Sequence, residues 1–392
     1  MLRRDVIPFW AGLIDEDNGG YLLNHSSDGA WLGPGEKFLV TQARMLWFFA
    51  TLARHGLVSR GSADHGYRFI RERMWDDHHG GFYWAVDHTG RRPTRADKHL
   101  FAQAYGLFAL CAHAQATEDP RGIQMSQTLF ALIEERARDH EHGGYREAFT
   151  ADWSPPPPDR PGYMGTLPDR KLYNTHLHLL EALTALVDLA APDSGRERLG
   201  ELVTICSERV VDPRTGGCRD EHLADWTAVR GRRRDRASYG HDLENAALLL
   251  GATDTLGWGP EPVLDSCRSM CAHALAYGLD RVVGGFFFSG RLGRPADRSE
   301  KVWWTQAEAV HGLLRMWEAT GEARYLDVMA DTLTWIDSAQ VDRAGGDWHE
   351  TVSPKGVASG AKAGAWKDPY HQTRALLAVS ALAPEPVRPG GA

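Results

Sequence analysis

A six-fold echo runs through this chain. In order, the segments IDEDNGGYLL, WDDHHGGFYWA, RDHEHGGYREA, VDPRTGGCRDE, LDRVVGGFFF and VDRAGGDWHET are variations on one turn. Gly-Gly pairs alone carry little weight among 41 glycines, so the flanks supply the signal. Asp15, Asp76, Asp139, Asp212 and Asp280 each stand four residues before the first glycine, and Asp342 stands three before it in the sixth copy. An aromatic follows within three residues of that glycine in five copies, the Cys218 copy being the exception. The first glycines (Gly19, Gly80, Gly143, Gly216, Gly284 and Gly345) fall 61, 63, 73, 68 and 61 residues apart. Glycine suits such a turn because it accepts positive φ without steric cost.

A chain of 392 residues would ordinarily divide into two or three domains. Six units filling nearly all of it predict one closed array instead, because a repeat unit buries its core only against its neighbours. Between the turns lie helical patterns. Leu100 to Cys111, Leu177 to Leu189 and Ala307 to Trp317 are apolar on most sides and read as inner helices. Tyr325 to Ser338 is amphipathic, an outer helix with one wet face. Each unit therefore runs inner helix, outer helix, Asp-flanked turn, short strand or hairpin. Six helical hairpins closed into a ring make an all-α (α/α)6 barrel, with the short β-hairpins on the pocket side. An open solenoid is the alternative, but it uses shorter repeats and atypical capping units. The expected single domain covers residues 1–384, leaving 385–392 as a flexible C-terminal tail.

Composition narrows the function classes. Apolar residues at 43% support a large core, and a net charge of −8 spread along the chain offers nucleic acid no basic footprint. The one basic run, Gly231 to Arg236, is short and interrupted by Asp235, as a solvated loop would be. The first residues, MLRRDVIPFWAGLIDED, lack an apolar signal core, and no stretch approaches the length of a membrane span. Five cysteines without a CxxC fit a reducing compartment, which makes the cytoplasm the expected location.

Function in such a ring is to be read at the starts of the inner helices, where six units converge. There the sequence offers Lys37-to-Arg44, Lys98-to-Ala104, Asn174-to-Glu181, His241-to-Glu244, Lys301-to-Glu308 and Trp366-to-Arg374. Helical phase sorts them. Asn174 and His178 share a face with Glu181 near it, whereas His176 points elsewhere, among leucines. His241 and Glu244 share a face, as do Trp304 and Glu308. A lone histidine on an apolar helix is more often a hydrogen-bonded core residue than a catalyst, and tryptophans at helical spacing usually belong to the core. Recurrence of polar groups at one place in every unit favours a site. His78-His79 and His140-x-His142 flank turns and read as solvated. His241-Asp-Leu-Glu244 is not HExxH, and no three-ligand metal constellation stands out by spacing.

The segments KFLVTQARMLW (37–47), KHLFAQAYGLFAL (98–110), NTHLHLLEAL (174–183), GHDLENAALLL (240–250), KVWWTQAE (301–308) and WKDPYHQTR (366–374) resemble the N-acylglucosamine 2-epimerase superfamily, in order and over nearly the whole chain. The resemblance implies an (α/α)6 barrel, a small-molecule sugar substrate and no metal or redox cofactor. It implies His241 and His371 as the acid/base pair at the sugar C2, and His178 as the group assisting ring opening and proton handling near C1. It further implies that Arg44 holds the developing oxyanion, supported by Asn174, Glu244 and Glu308, with Trp304, Trp366 and Tyr105 as sugar contacts. Cellobiose-acting members tend to carry tryptophan where this chain has Ala247, and the aldose–ketose isomerases where it has Asn245. That departure points to a wider site or to a different sugar, such as free mannose or glucose.

The chemistry explains the residue types. The C2 hydrogen of an open-chain aldose is acidic only because the C1 carbonyl takes up the charge, and imidazole titrates near the pH at which that hydrogen must be removed. A guanidinium stays charged in a closed pocket and suits the enediolate oxygen. Returning the proton to the opposite face of C2 gives an epimer, and returning it to C1 gives a ketose. A glycoside hydrolase on the same ring would need two carboxylates about the scissile bond, for which Glu244 and Glu308 could serve, but three histidines and Arg44 would then have no task. A sugar-binding or protein-interaction scaffold is the non-catalytic alternative. The loops at 153–159 and 221–239 are either lids or surface loops, and monomer and homodimer both remain open.

Overall fold

The computed structural model describes residues 1–382 apart from 163, 232 and 233. The expected end of the domain at residue 384 and the 385–392 tail therefore lie outside the described residues. Six inner helices run Leu39–Arg54 (α2), Leu100–Thr117 (α4), Tyr173–Ala190 (α6), Tyr239–Leu256 (α8), Trp303–Thr320 (α10) and Tyr370–Ser380 (α12). The outer ones are Ile7–Ala11 (α1), Arg60–Phe69 (α3), Pro120–Arg136 (α5), Asp193–Thr204 (α7), Leu264–Tyr277 (α9) and Ala323–Trp335 (α11). Each inner helix packs on the next, and α12 returns to α2, which closes the ring. The N-terminal segment supplies the last outer position: the π-helical turn Leu2–Val6 that leads into α1 packs on α12. Arg343 pairs with Asp5 at 2.6 Å, and the Asp347 N–H donates to the Asp5 carbonyl at 2.7 Å, so the N-terminal segment is tied to the sixth turn.

Sequence accounts for the two helix types. α4 and α8 are buried along nearly their whole length because alanine and leucine occupy most of their faces. α5 buries only one face; it starts with Asp119 accepting from the Arg121 N–H at 2.9 Å, and Pro120 stands in the first turn. The two-residue strand Lys37–Phe38 pairs antiparallel with Ala85–Val86, and Lys98–His99 pairs with Ala148–Phe149. The same link joins Lys301–Val302 to Thr351–Val352. Each such ladder connects the start of one inner helix to the turn of the next unit.

The turns are more uniform than the sequence suggests. In five of them the aspartate N–H donates to the carbonyl of the second glycine, as in Asp15 to Gly20 at 2.9 Å and Asp139 to Gly144 at 2.9 Å. In the sixth, Asp342 donates to the Asp347 carbonyl at 2.9 Å. The equivalent of Gly19 is thus Gly346, four residues after its aspartate like the others, and Gly345 is not the register residue. Asp347 occupies the second glycine position at φ +54°, a left-handed conformation that aspartate tolerates better than most residues. A buried cation holds each turn aspartate. Lys37, Lys98 and Lys171 lie 2.7 Å from Asp15, Asp76 and Asp139, Lys301 and Lys362 lie 2.8 Å from Asp280 and Asp342, and Arg219 takes Asp212.

Candidate active site

Counting from Lys37, Lys98, Lys171, Ala237, Lys301 and Lys367 puts all six units in one register. Five residues on stand Gln42, Gln103, His176, Asp242, Gln306 and Gln372. These hold the turns. Gln42 accepts from the Tyr21 N–H at 2.9 Å and donates to its carbonyl at 3.1 Å; Gln103 does the same for Phe82, and Gln306 for Phe286. His176 accepts from the Tyr145 N–H at 3.0 Å through Nε2 and donates to the Leu172 carbonyl at 2.7 Å through Nδ1. Burial pushes its pKa down to about 3. His176 is therefore a neutral structural residue that holds its turn.

Seven residues on stand Arg44, Tyr105, His178, Glu244, Glu308 and Arg374, one from each inner helix. All six meet in one hydrogen-bonded floor. Arg44 donates to Asp368 at 2.9 Å and to the Tyr105 hydroxyl, and its Nε is left without a partner. The Tyr105 hydroxyl lies 2.9 Å from His178 Nδ1, which is 3.2 Å from Glu181. Arg374 reaches Glu181 and Glu244 at 2.6 Å and Glu308 at 2.7 Å, and Tyr370 donates to Glu181. Burial opposes the charge on Arg374, but Glu308, Tyr370, Glu181 and Glu244 outweigh it and raise its pKa further. Arg374, Glu181, Tyr370 and Asp368 are floor residues that sequence reasoning did not single out. The seven-residue count from Lys367 would have found Arg374.

Four residues into the register of α8 and α12 stand His241 and His371. His371 Nδ1 lies 2.6 Å from Glu308 Oε1. An ionised carboxylate only accepts, so Nδ1 carries a proton, and in the neutral ring the lone pair lies on Nε2. Burial works against ionisation of Glu308, but Arg374, His311 and His371 outweigh it and hold its pKa well below the carboxylate range. The His241 ring lies 4.7 Å from the Trp304 ring, and the His371 ring lies 5.7 Å from it. The two imidazoles thus stand against one indole, although 130 residues separate them in sequence. Burial pushes the His241 pKa down; Glu244 and Asp220 pull it up, while His178 and His371 add to the fall. The result is a histidine poised to be a free base at neutral pH.

His241 and Glu244 share a face of α8, and the carboxylate binds Arg374. Asn174 is buried, with its side-chain oxygen unpaired. Trp304 is half-buried, whereas Trp366 stands on the loop before α12 and is 48% exposed. Asn245 points away from the ring axis and donates to the Cys206 carbonyl at 2.8 Å. Glu244, Glu308 and His371 bring ligand atoms within 4.8 Å of one another, a three-ligand cluster that spacing could not reveal because each comes from a different helix. The Arg374 guanidinium already sits on both carboxylates, the place a cation would take. Both loops considered as lids are anchored. The Trp153 indole donates to the Gly80 carbonyl at 3.1 Å, and the Trp226 indole to Gly143 at 3.3 Å. A side chain at Gly81 or Gly144, both at positive φ, would meet those indoles at 2.6 Å. Among the described residues no helix is long and apolar enough to cross a membrane.

Comparison with known proteins agrees with this architecture. A cellobiose 2-epimerase of Dictyoglomus turgidum is 30% identical over 390 residues, 96% of each chain. The solved cellobiose 2-epimerase from Spirochaeta thermophila superposes with a TM-score of 0.86 at 33% identity, covering 97% of this chain and 95% of that one. A D-mannose isomerase of Thermobifida fusca is 29% identical over 342 residues, 82% of this chain and 79% of its own. The family model described as N-acylglucosamine 2-epimerase (GlcNAc 2-epimerase) matches residues 20–375, and the chain belongs to that family.

Proposed function

We propose that the protein is a sugar 2-epimerase that removes and returns the C2 proton of an aldose through an enediolate. The observation that carries this reading is the approach of His241 and His371 to one indole from helices two units apart. A small ligand over Trp304 would meet both imidazoles, and inversion at one carbon requires them to reach opposite faces of C2. With Nδ1 committed to Glu308, His371 presents Nε2 as the free base. One histidine takes the C2 proton, and the other, first protonated from solvent, supplies its proton to the opposite face and is left as the free base. His178, hydrogen-bonded to Tyr105 and beside Glu181, handles the proton at O5 and O1 during ring opening. Arg44, fixed by Asp368 and Tyr105, faces the enediolate oxygen and stays charged there. Asn174 Oδ1 is free to accept from a sugar hydroxyl. Tyr105, Glu244 and Glu308 complete the substrate-facing floor, and Trp366 adds a stacking face at the mouth.

The substrate class is an aldose of glucose or mannose type, free or at the reducing end of a disaccharide such as cellobiose. No metal or cofactor is needed for this route. Five free, buried cysteines suit the reducing cytoplasm, where we place the enzyme.

One experiment tests the assignment. Cellobiose, mannose, glucose and fructose are each incubated in deuterium oxide with the full chain, and products are identified by NMR. The expected outcome is the C2 epimer carrying deuterium at C2. A ketose labelled at C1 would mark an aldose–ketose isomerase using the same residues, a cleaved disaccharide would mark a hydrolase, and no label in any sugar would overturn the reading. His241→Ala and His371→Ala should each lower exchange by at least about 10²-fold, the low end of what a general base contributes.

A further inference from the structure

His311 takes no part in the chemistry above, yet α10 carries it to the same floor. It stands ten residues after Lys301, the register place that Glu181 holds after Lys171. Its side chain is 12% exposed, one helical turn from Glu308. The two oxygens of Glu308 have different duties. Oε1 holds the His371 Nδ1 proton at 2.6 Å. Oε2 has Arg374 at 2.7 Å as an ion pair and His311 Nδ1 at 3.9 Å, but no donor aligned for a hydrogen bond. His311 Nδ1 is likewise buried without a partner. A buried potential donor thus stands 3.9 Å from a carboxylate oxygen that Arg374 pairs but no aligned donor hydrogen-bonds, and leaving a buried ring nitrogen unsatisfied is costly.

We propose that His311 is a positioning residue for His371: its Nδ1–H secures Glu308 Oε2, so that Oε1 keeps His371 in the tautomer with a free Nε2. This inference rests on the reading of His371 as an acid/base group. The charged groups about His311 are Glu308 and Arg315 on its own helix and Arg374 on α12, with Glu244 of α8 beyond them, 3.9 Å from His371. Burial, Arg374 and Arg315 favour the neutral ring, against the pull of Glu308. A neutral donor steadies the carboxylate without cancelling the negative charge on which the His371 imidazolium depends.

The test compares His311→Leu with His311→Gln in the full chain. Nitrogen-15 NMR of the labelled imidazoles, with His371 assigned through His371→Asn, reads the tautomer directly and needs no turnover. The pH profile of C2 exchange is the second readout. Wild type and His311→Gln should show His371 protonated at Nδ1. In His311→Leu the two ring nitrogens should approach equivalence, and the acid limb should move to lower pH because Glu308 supports the imidazolium less well. kcat should fall about tenfold, well short of losing the base itself, with KM changed less than about twofold. An unchanged tautomer and acid limb in His311→Leu would overturn the inference. So would a glutamine variant that behaves like the leucine one. If the leucine variant does not fold, His311→Asn, whose shorter amide cannot reach Glu308, takes its place in the same measurement. A chain whose wild type exchanges no C2 hydrogen but whose tautomer responds to His311 would sink the epimerase reading and leave the positioning role standing.

Discussion

Arg374 pairs with carboxylates from three other inner helices, and no other side chain in the floor spans so much of the ring. Replacing it with lysine keeps the charge but not the fork, so at least one buried carboxylate loses its partner. Arg374→Lys should lower stability by about 3 kcal/mol, read as an earlier denaturant midpoint, and should reduce C2 exchange as well. Glu147 behaves oppositely. It is 2% exposed and accepts from the Leu172 N–H at 2.8 Å, while its second oxygen has no partner. Burial pushes its pKa up to about 8. Its folded pKa lies above its unfolded value near ~4, so the unfolded chain loses this proton first and stability drains away as pH rises from about 4 to about 8. Glu147→Gln should therefore raise the melting temperature at pH ~8 and have almost no effect at pH ~4. Sequence made part of this scale legible. Helical phase separated His178 from His176 because the two differ in face. It could not show that Glu244 would turn to Arg374 rather than to His241, since that choice depends on a helix 130 residues away.

Each turn is a small ion-pair clamp, and its pH behaviour follows from one shared direction. Burial opposes ionisation of Asp15, Asp76, Asp139 and Asp280, but the paired lysine and the turn N–H groups outweigh it and depress each pKa. A depressed carboxylate stabilises the fold above its unfolded pKa, and that contribution is lost as pH falls through the folded value. Lys171→Met should cost about 3 kcal/mol at neutral pH by stranding Asp139. The gap between variant and wild-type melting temperatures should narrow from about pH 5 to about pH 3, as Asp139 takes up its proton in both. The repeats were readable because these clamps use the same residues five times over. The sixth was misregistered by one position because Asp347 replaces the expected second glycine, a substitution visible only once φ is known.

At the scale of the molecule, the ring is completed by its ends. The turn Leu2–Val6, which leads into α1, packs on α12, the helix that carries His371 and Arg374. Removing residues 1–11 should expose that helix, lower the melting temperature and abolish C2 exchange, whereas the isolated segment added back as a peptide should restore part of both. The closed array was inferred from the even spacing of the turns. That the first residues serve as its last outer helix was not, because α1 and the Leu2–Val6 turn hold only five residues each and carry too little periodicity to be noticed.

The seam between the Leu2–Val6 turn and α12 also bears on how the protein is made. On the ribosome, five of the six inner helices can emerge and pack before α12 brings His371, one of the two proposed bases. The opening segment must wait, unpartnered, for the closing helix. On the proposed role of His371, competence arrives in a single late event, and products ending before residue 371 should exchange no C2 hydrogen however well their earlier units have folded.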